Sequence, residues 1–239
     1  SDFKIFRYYG STTALDAVLG VKYVFSRSEH RAGYIPTGIS AGGLPLWQNQ
    51  YALPLVFFAD SDILKLESLP AKPFETLNRF LSALKGEPKT YYSPLEVTTY
   101  FDGAGIDITE KYHYIERAGE LSFVINNPRR QFVLLYFNSN INEFSTVYLD
   151  GQPLNIYGER LARGVIELGE LDQGEAVVTV SVSKGRHRIS DVSAASFDQY
   201  EFAELAVWLE KHSPDRLTVS QNGWGQPSVS GRFTAPRGG

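Results

Sequence analysis

The chain contains neither cysteine nor methionine in its 239 residues. Without cysteine it cannot form a disulfide framework, a cysteine-ligated zinc site, an iron–sulfur cluster or a cysteine nucleophile. Because a natural chain begins with methionine, the missing residue predicts a processed chain or, in preference, an excised piece of a longer protein. A chain of this length is expected to form one large domain or two small ones.

Charge of one sign and long apolar runs are also scarce. The 23 basic and 27 acidic residues give a net charge of -4, whereas a nucleic-acid partner usually requires a basic face. No run approaches the roughly 20 apolar residues of a membrane span, and no signal peptide is present. We therefore expect a soluble piece that does not bind nucleic acid. The 14 Tyr and 15 Phe are typical of sheets and also of carbohydrate-facing surfaces.

Residues 1–90 predict a mixed α/β unit. Thr13 and Asp16 lie in capping-box register and predict a helix start. Residues 21–26 are β-branched and aromatic and predict a strand, residues 27–45 are polar and rich in Gly and Pro and predict a long loop, and residues 53–59 predict a second strand.

A second helix is predicted to begin at Pro73, since the first helical turn needs no amide from proline. Gly86 is expected to end it. Four apolar residues fall on one face of this helix: Phe74, Leu77, Leu81 and Leu84.

Residues 91–184 contain only strand patterns. Leu121, Phe123 and Ile125 alternate with polar residues, which indicates one buried face. Residues 132–137 are apolar throughout, as in a central strand covered on both sides. Asp150 and Gly151 predict a hairpin turn. Several short strands at this spacing predict a jelly-roll-like β-sandwich.

Residues 185–239 predict a helix and a terminal β-hairpin. The helix carries an apolar stripe formed by Phe202, Leu205, Ala206 and Leu209. The predicted fold class is α+β, with domains at 1–90, 91–184 and 185–239. Because residues 1–90 and 185–239 are both predicted to contain helices and strands, we expect these two segments to pack together around the sandwich. The alternative is that the last unit is truncated.

The sequence offers no assembled catalytic, metal or cofactor site. The four histidines are widely spaced. Residues 38–42 match Gly-x-Ser-x-Gly around Ser40, but no helical pattern follows, so a hydrolase is disfavoured. Asp60 and Asp62 follow a predicted strand and are expected to cap a helix rather than to act as a catalytic pair.

Loop aromatics are the remaining candidates, because an aromatic ring can stack on a sugar ring. Trp47, beside Asn49 in the predicted loop, is the first carbohydrate-binding candidate, and Trp224 is the second. The alternative is that each indole covers a small apolar cluster beneath its loop.

Several strings resemble the YfhO family of bacterial multispanning membrane proteins. Residues 15–26 read LDAVLGVKYVFS and resemble that family's LxxLGVKYV, and residues 51–57 match its YALP segment. Residues 73–78 read PFETLN, similar to PFExQN with leucine in place of the usual glutamine. Residues 147–154 and 164–169 are similar to its glycine-containing hairpins.

The resemblance implies an extracytoplasmic region that follows many transmembrane helices in a lipid-sugar-dependent glycosyltransferase. Some members of the family are linked to glycosylation of teichoic acids in Gram-positive envelopes. The catalytic carboxylates would lie in loops between membrane helices, outside this chain. The family continues into a PYxxGW stretch, which this chain lacks. The implied partners are a cell-envelope glycopolymer or a lipid-linked sugar, at the cell membrane.

Three hypotheses remain for the domain itself, in addition to the disfavoured hydrolase. The leading one is a noncatalytic accessory domain that positions an acceptor polymer outside the cell. The second is a carbohydrate-binding β-sandwich module, and the third is a structural or assembly domain without a ligand.

Overall fold

A computed structural model describes residues 11–26, 31–67, 72–102, 106–108, 113–115, 119–139, 145–154, 164–182, 187–214, 216–221 and 227–232. The helices are α1 (Thr13–Val18), α2 (Pro73–Lys85) and α3 (Gln199–Lys211), with a 3-10 turn at Ser61–Lys65. The strands are β1 (Tyr23–Phe25), β2 (Tyr34–Ala41), β3 (Leu44–Asn49), β4 (Tyr92–Asp102), β5 (Ile106–Ile108), β6 (His113–Ile115), β7 (Gly119–Asn127), β8 (Gln131–Ser139), β9 (Ser145–Leu149), β10 (Gln152–Leu154), β11 (Val165–Leu171), β12 (Gly174–Val182), β13 (His187–Phe197), β14 (Arg216–Gln221) and β15 (Pro227–Arg232).

Strand β4 joins the two layers of a β-sandwich. Its residues 96–102 pair with β7 in a layer ordered β10-β9-β12-β7-β4. Its residues 92–95 pair with β13, which also pairs with β8, and β8 pairs with β11. One long strand therefore begins in one layer and ends in the other. The predicted α+β fold with a β-sandwich is confirmed.

Strand β8 is buried on both faces, as its unbroken apolar run predicts. Val133, Leu135 and Phe137 point into the core between the two layers. The intervening Phe132, Leu134 and Tyr136 pack against the helices on the opposite face. Because successive strand residues face opposite sides, β8 serves two cores at once.

The helical core unites the beginning and the end of the chain. Its fully buried members come from all three helices and include Ala14, Leu81 and Phe202. The apolar stripes predicted for α2 and α3 are buried here. The outer segments thus pack together, while β13 of the last segment lies within the sandwich. The domain boundaries at residues 90 and 184 stay predictions.

The long loop predicted at 27–45 is wrong, since much of this segment forms the β2–β3 hairpin. Gly42 and Gly43 both have positive φ, which is the conformation of a two-residue type I′ turn. Strand β3 also pairs with β1, which completes a three-stranded sheet. The Gly42–Gly43 pair is typical of a hairpin turn, but the high proline and glycine content of the whole segment favoured a loop.

The strand predicted at 53–59 is also wrong. Its backbone amides bond to the ends of helices instead of to a neighbouring strand. Leu53 N donates to Ala17 O (3.0 Å), Phe58 N to His212 O (2.8 Å) and Asp60 N to Leu84 O (2.9 Å). Tertiary contacts with three helices therefore determine the conformation of this apolar segment.

The side chain of Asn78 ties α2 to the start of β4. Its Oδ1 accepts from the amides of Tyr91 and Tyr92, both at 2.8 Å, and its Nδ2 donates to Tyr92 O at 2.8 Å. Asn78→Leu leaves these backbone groups without their partner, so we expect unfolding free energy to fall by about 2–4 kcal/mol in urea titration. Exposed Arg79→Leu is the control, and equal losses in the two variants would contradict this role.

Candidate functional site

Three tyrosines meet in a cleft where the β2–β3 hairpin, α3 and strands β8 and β11 come together. The cleft measures about 460 Å³. We call it the tyrosine cleft. Its lining consists of Arg31, Gly33, Tyr34, Gln50, Tyr51, Phe132, Glu170, Gln199 and Tyr200. Aromatic faces, amide groups and a carboxylate thus share one concave surface.

Tyr51 forms one wall, and its position depends on Gly33. A Cβ on Gly33 would lie 2.1 Å from Tyr51 Cε2, and Gly33 has a φ of +69°. The Tyr51 ring also meets Phe202 edge to face, with ring centroids 5.6 Å apart. A residue without a side chain, in a backbone conformation that favours glycine, therefore makes room for this wall.

Tyr200 is the exposed wall, with 79% of its surface accessible. It lies in the first turn of α3, where Asp198 caps the helix by accepting from Tyr200 N and Glu201 N at 3.1 Å. The backbone is fixed by this cap while the ring stays open to solvent. An exposed aromatic ring held by a rigid helix start is suited to contact a ligand.

The base of the cleft is a buried ionic cluster around Arg31. Arg31 Nη1 lies 2.8 Å from Asp16 Oδ2, and Arg31 Nε lies 2.9 Å from Glu167 Oε2. The three side chains are only 7%, 1% and 10% exposed, respectively. Arg31 also donates to Ser11 O at 3.0 Å. Its guanidinium therefore holds two buried carboxylates from distant parts of the chain.

Glu167 is anchored mainly through its other oxygen. Its Oε1 accepts from Thr13 N at 2.8 Å and from Thr13 Oγ1 at 3.1 Å. Oε2 is buried and close to Arg31, but the pair is not aligned as a hydrogen bond. The close charge contact, rather than a hydrogen bond, thus stabilises Oε2.

Burial and the Arg31 charge act in opposite directions on these groups. Burial raises the pKa of Glu167, whereas Arg31 and the hydrogen bonds from Thr13 lower it, and burial prevails. Burial would lower the pKa of Arg31, but Glu167 and Asp16 outweigh it and raise that pKa. Arg31 therefore stays charged at every pH at which the protein is folded.

Tyr34 and Tyr51 keep their protons at neutral pH. Burial raises the pKa of Tyr34, whose hydroxyl donates to Asp16 Oδ2 at 2.7 Å. Burial also raises the pKa of Tyr51, and Tyr200 adds to the shift. Neutral phenols can hydrogen-bond to the hydroxyl groups of a ligand without repelling an anion.

A second cleft of about 360 Å³ extends the first one. The two share Phe132, Glu170, Gln199 and Tyr200, and the extension adds Arg129 and Arg130. Arg130 pairs with Glu170 at 2.6 Å, while Arg129 Nε donates to Gln131 Oε1 at 3.2 Å. The combined surface runs from neutral aromatic rings to arginines.

A larger groove of about 710 Å³ runs beside α2. Its lining includes Asp62, Lys65, Arg79 and Lys89 but no aromatic residue. Lys65 pairs with Asp62, and Lys89 pairs with Glu201 at 2.6 Å. The groove is open and its lysines have partners, so the tyrosine cleft is the better candidate site.

Neither Trp47 nor Asn49 is among the residues that line the tyrosine cleft. Half-buried Trp47 is on β3 and its Nε1 donates to Ser26 O at 3.0 Å. Asn49 is 1% exposed, and its side chain bonds to Tyr51 N and Thr13 O. Trp224 lies outside the described residues. Sugar binding by these residues stays a prediction, although the side chain of Asn49 already has hydrogen-bond partners within the protein.

The other residues that the sequence singled out lie in a strand, a turn or a ring contact rather than in a site. Ser40 lies on exposed strand β2 with no helix after it. Asp60 caps the 3-10 turn through Asp62 N at 2.9 Å, as predicted. His212 stacks on Trp208. Among the described residues, no group of three His, Asp or Glu side chains is placed to hold a metal ion.

Sequence reasoning missed all three cleft tyrosines. Tyr34 was assigned to a loop, Tyr51 adjoined the Trp47 segment and Tyr200 preceded the predicted helical stripe. The available signal was local: an aromatic residue beside an amide residue occurs at Gln50–Tyr51 and Gln199–Tyr200. Only the tertiary fold brings these two pairs together.

The comparisons with known proteins give one family and some weak structural similarities. The model of the family "Bacterial membrane protein YfhO" matches residues 2–236. No curated protein matches the chain. Within the described residues, no helix has the length and apolar character needed to cross a membrane.

Three solved structures overlap with less than half of the chain. A Podospora anserina GH26-CBM35 β-(1,4)-mannanase has 13% identity and a TM-score of 0.27, covering 44% of this chain and 26% of that chain. A family 35 carbohydrate binding module from Clostridium thermocellum has 13% identity and a TM-score of 0.26, covering 44% and 95%.

The third is the CBM36-1 domain of a multidomain xylanase from the hindgut metagenome of Trinervitermes trinervoides. It has 11% identity and a TM-score of 0.28, covering 43% of this chain and 98% of that chain. These scores are too low to support a conclusion, so the fold rests on the strand pairing and the cores described above.

Proposed function

The chain belongs to the YfhO family of bacterial membrane proteins, and from this premise we propose that it is an extracellular acceptor-positioning domain. Its parent would be a lipid-sugar-dependent glycosyltransferase in the cell membrane of a Gram-positive bacterium. The acceptor would be a cell-envelope glycopolymer of the teichoic acid type. In this proposal the domain binds the polymer, and the membrane-embedded part of the parent transfers the sugar.

The tyrosine cleft is the observation that carries the proposal. The rings of Tyr51 and Tyr200 line the cleft where they can contact sugar or polyol carbons, and Gln50 and Gln199 can offer amides to hydroxyl groups. The Tyr34 ring lies beneath the Arg31 guanidinium, whose carbon is 5.0 Å from the ring centroid. A largely preformed pocket with a few placed polar groups is the usual form of a small-ligand site. Because Arg31 is held by two carboxylates, the base of the cleft is ordered before a ligand arrives.

The arginine end of the combined cleft favours a polymer that also carries phosphate. Arg129 and Arg130 line the extension beyond Tyr200. Guanidinium groups bind phosphate oxygens through paired hydrogen bonds. A polymer that alternates hydroxyl-rich units with phosphodiesters would therefore match both ends of the surface.

The same cleft supports binding rather than catalysis. Glu170 is the exposed carboxylate of the tyrosine cleft and is paired with Arg130. Asp16 and Glu167 lie buried behind Arg31. Glycoside chemistry commonly requires two carboxylates that both reach the scissile bond. Asp198, the second carboxylate of the extended cleft, is engaged as the cap of α3, where it accepts from Tyr200 N and Glu201 N.

The test is a calorimetric titration of the chain with glycerol-phosphate oligomers, with and without N-acetylglucosamine substituents. We expect Tyr200→Ala to weaken binding at least about tenfold, because it removes an exposed aromatic contact. Tyr200 is so exposed that its loss should barely change stability. Tyr100→Ala is the matched control, because Tyr100 is also exposed. It lies seven residue steps along β4 from Ser93 of the cleft extension, which is about 23 Å in an extended strand.

Two results would refute this function. One is the absence of binding by the unaltered chain at millimolar oligomer. The other is an equal loss of affinity in the Tyr100 and Tyr200 variants, which would place the ligand elsewhere. Binding of neutral sugars with the same affinity as the phosphate-containing oligomers would instead favour a general carbohydrate-binding module.

A further inference from the structure

Residues 32–59 form an uncharged stretch of 28 positions without Asp, Glu, Lys, Arg or His. Charged residues make up 21% of the chain, so about six would be expected in a stretch of this length at average composition. Most of this stretch is not a core segment, because it contains the exposed β2–β3 hairpin. A surface segment so free of charge calls for a physical explanation.

The three-stranded sheet has an apolar outer face. Tyr23 of β1 and Ile35 of β2 both pair with Gln48 of β3, so the three side chains share one face, on which Phe25 and Leu46 form the next row. The opposite face is the inner one, since it carries Asn49, which is buried against α1. We call the first surface the outer face.

Exposed apolar side chains are concentrated at this unit. Among residues whose side chains are described, eleven large hydrophobic residues are exposed, and four of them lie on the short strands β1 and β2 of this sheet. Ile39, beside the hairpin turn, is 58% exposed. Contiguous exposed apolar surface on a protein usually marks a place of contact.

We propose that the outer face and the hairpin tip dock into the interfacial layer of a lipid bilayer. The uncharged stretch allows the tip to enter the headgroup region without the cost of burying a charge. Tyr and Phe are favoured at that depth because their rings are partly apolar and partly polarisable. The chain's family is one of membrane proteins, so a bilayer is present where this surface operates.

The positive charge of Lys22, beside the outer face, complements an anionic bilayer. Lys22 immediately precedes β1, and its Nζ lies 5.9 Å from the Tyr23 ring centroid. A lysine beside interfacial aromatic residues can reach lipid phosphates while its stem stays near the apolar layer. A second copy of the chain is a poorer partner for this face, because it would bring another Lys22 rather than the negative charge that Lys22 favours.

The tip of the β2–β3 hairpin is surrounded by open space. Gly38, Gly42 and Gly43 all have positive φ, and a Cβ at any of them would have no atom within 4 Å. The tip therefore projects away from the rest of the protein. The four residue steps along β3 from Asn49 at the cleft end to Pro45 near the turn correspond to about 13 Å. Docking of the tip would hold the tyrosine cleft at a fixed height above the bilayer.

The first test is co-flotation of the chain with vesicles of equal parts phosphatidylcholine and phosphatidylglycerol. We expect binding, and we expect the double variant Phe25→Ser, Ile39→Ser to reduce the partition coefficient about tenfold or more. Leu64→Ser is the matched control, because Leu64 is 84% exposed but lies in the 3-10 turn beside α2. Circular dichroism confirms that each variant is folded.

The second test uses the absence of cysteine. Single Ile39→Cys and Leu64→Cys variants each carry one environment-sensitive fluorophore. Vesicles should shift the emission to the blue for the label at residue 39 and not for the label at residue 64. No shift at residue 39, equal shifts at both positions, or an outer face that forms dimers in ultracentrifugation while ignoring vesicles would each overturn the proposal.

Discussion

Replacement of Arg31 by methionine is expected to lower the free energy of unfolding by about 3–5 kcal/mol. The variant leaves Asp16 and Glu167 buried without the cation that neutralises them. Removal of one partner from a buried ionic cluster costs this much because the remaining charges stay desolvated. Urea denaturation followed by circular dichroism measures the loss.

Two controls separate this effect from a general loss of arginine. Arg130→Met removes an exposed arginine paired with Glu170, and we expect it to cost no more than about 1 kcal/mol. Adding Asp16→Asn and Glu167→Gln to Arg31→Met should restore part of the lost stability, since it removes the unpaired charges. If the triple variant were less stable than Arg31→Met, the charge argument would be wrong.

The pH dependence of Arg31→Met follows from Glu167. Burial already raises the pKa of Glu167, and loss of the Arg31 charge raises it further. A raised pKa in the folded state means that stability is present below the ordinary carboxyl pKa and is lost as pH rises through the folded pKa. The difference in unfolding free energy between Arg31→Met and the unaltered chain should therefore shrink as the pH falls towards the ordinary carboxyl pKa. A deficit that widens on acidification would contradict this assignment.

Gly33→Ala is the second large effect that we expect, with a loss of about 2–4 kcal/mol and a collapse of ligand affinity. The new Cβ would meet Tyr51 Cε2 at 2.1 Å, on a backbone with a φ of +69°. Strain in the left-handed region and overpacking each contribute about 1–2 kcal/mol. Displacement of the Tyr51 ring then removes one wall of the tyrosine cleft.

Gly38→Ala is the matched control for Gly33→Ala. Gly38 has a φ of +76°, but its Cβ would meet no atom within 4 Å, so this variant carries backbone strain without the clash. In a Tyr51→Ala background, Gly33→Ala should cost no more than Gly38→Ala. Equal losses for the two glycine variants in the otherwise unaltered chain would show that Tyr51 does not press on Gly33.

The regular elements could be predicted wherever one periodicity dominated. Helix α2 begins at Pro73 and ends at Gly86, which has the left-handed conformation expected of its position. The β8 run was recognised as a strand covered on both faces, because neither face contains a polar residue. The turn at Asp150 and Gly151 joins β9 and β10 as its residue types predict.

The segment 53–59 shows where sequence patterns mislead. Its apolar run resembles a strand, but its amides bond to carbonyls of Ala17, His212 and Leu84, which no local pattern can indicate. The capping box predicted from Thr13 and Asp16 is wrong, because Thr12 caps α1 by accepting from Leu15 N at 3.3 Å. The Asp16 carboxylate instead contacts Arg31 and Tyr34. In both cases tertiary partners override the local preference.

The candidate site was beyond the reach of sequence alone for the same reason. Thr13 and Glu167, which hold the base of the cleft together, are 154 residues apart. Tyr51 and Tyr200 line one cleft because the segment that follows β3 contacts α3, where the Tyr51 ring meets Phe202. The resemblance to the YfhO family is confirmed by the family model that matches residues 2–236, but it assigned no role to these residues.

The most direct test of the central claim is fluorine NMR of the chain labelled with 3-fluorotyrosine, titrated with the glycerol-phosphate oligomers. Single Tyr→Phe variants assign the resonances of the 14 tyrosines. We predict that the signals of Tyr34, Tyr51 and Tyr200 shift together with one dissociation constant, while those of Tyr23 and Tyr100 stay in place. Shifts confined to other tyrosines, or none at millimolar oligomer, would contradict the proposal that this cleft holds the polymer.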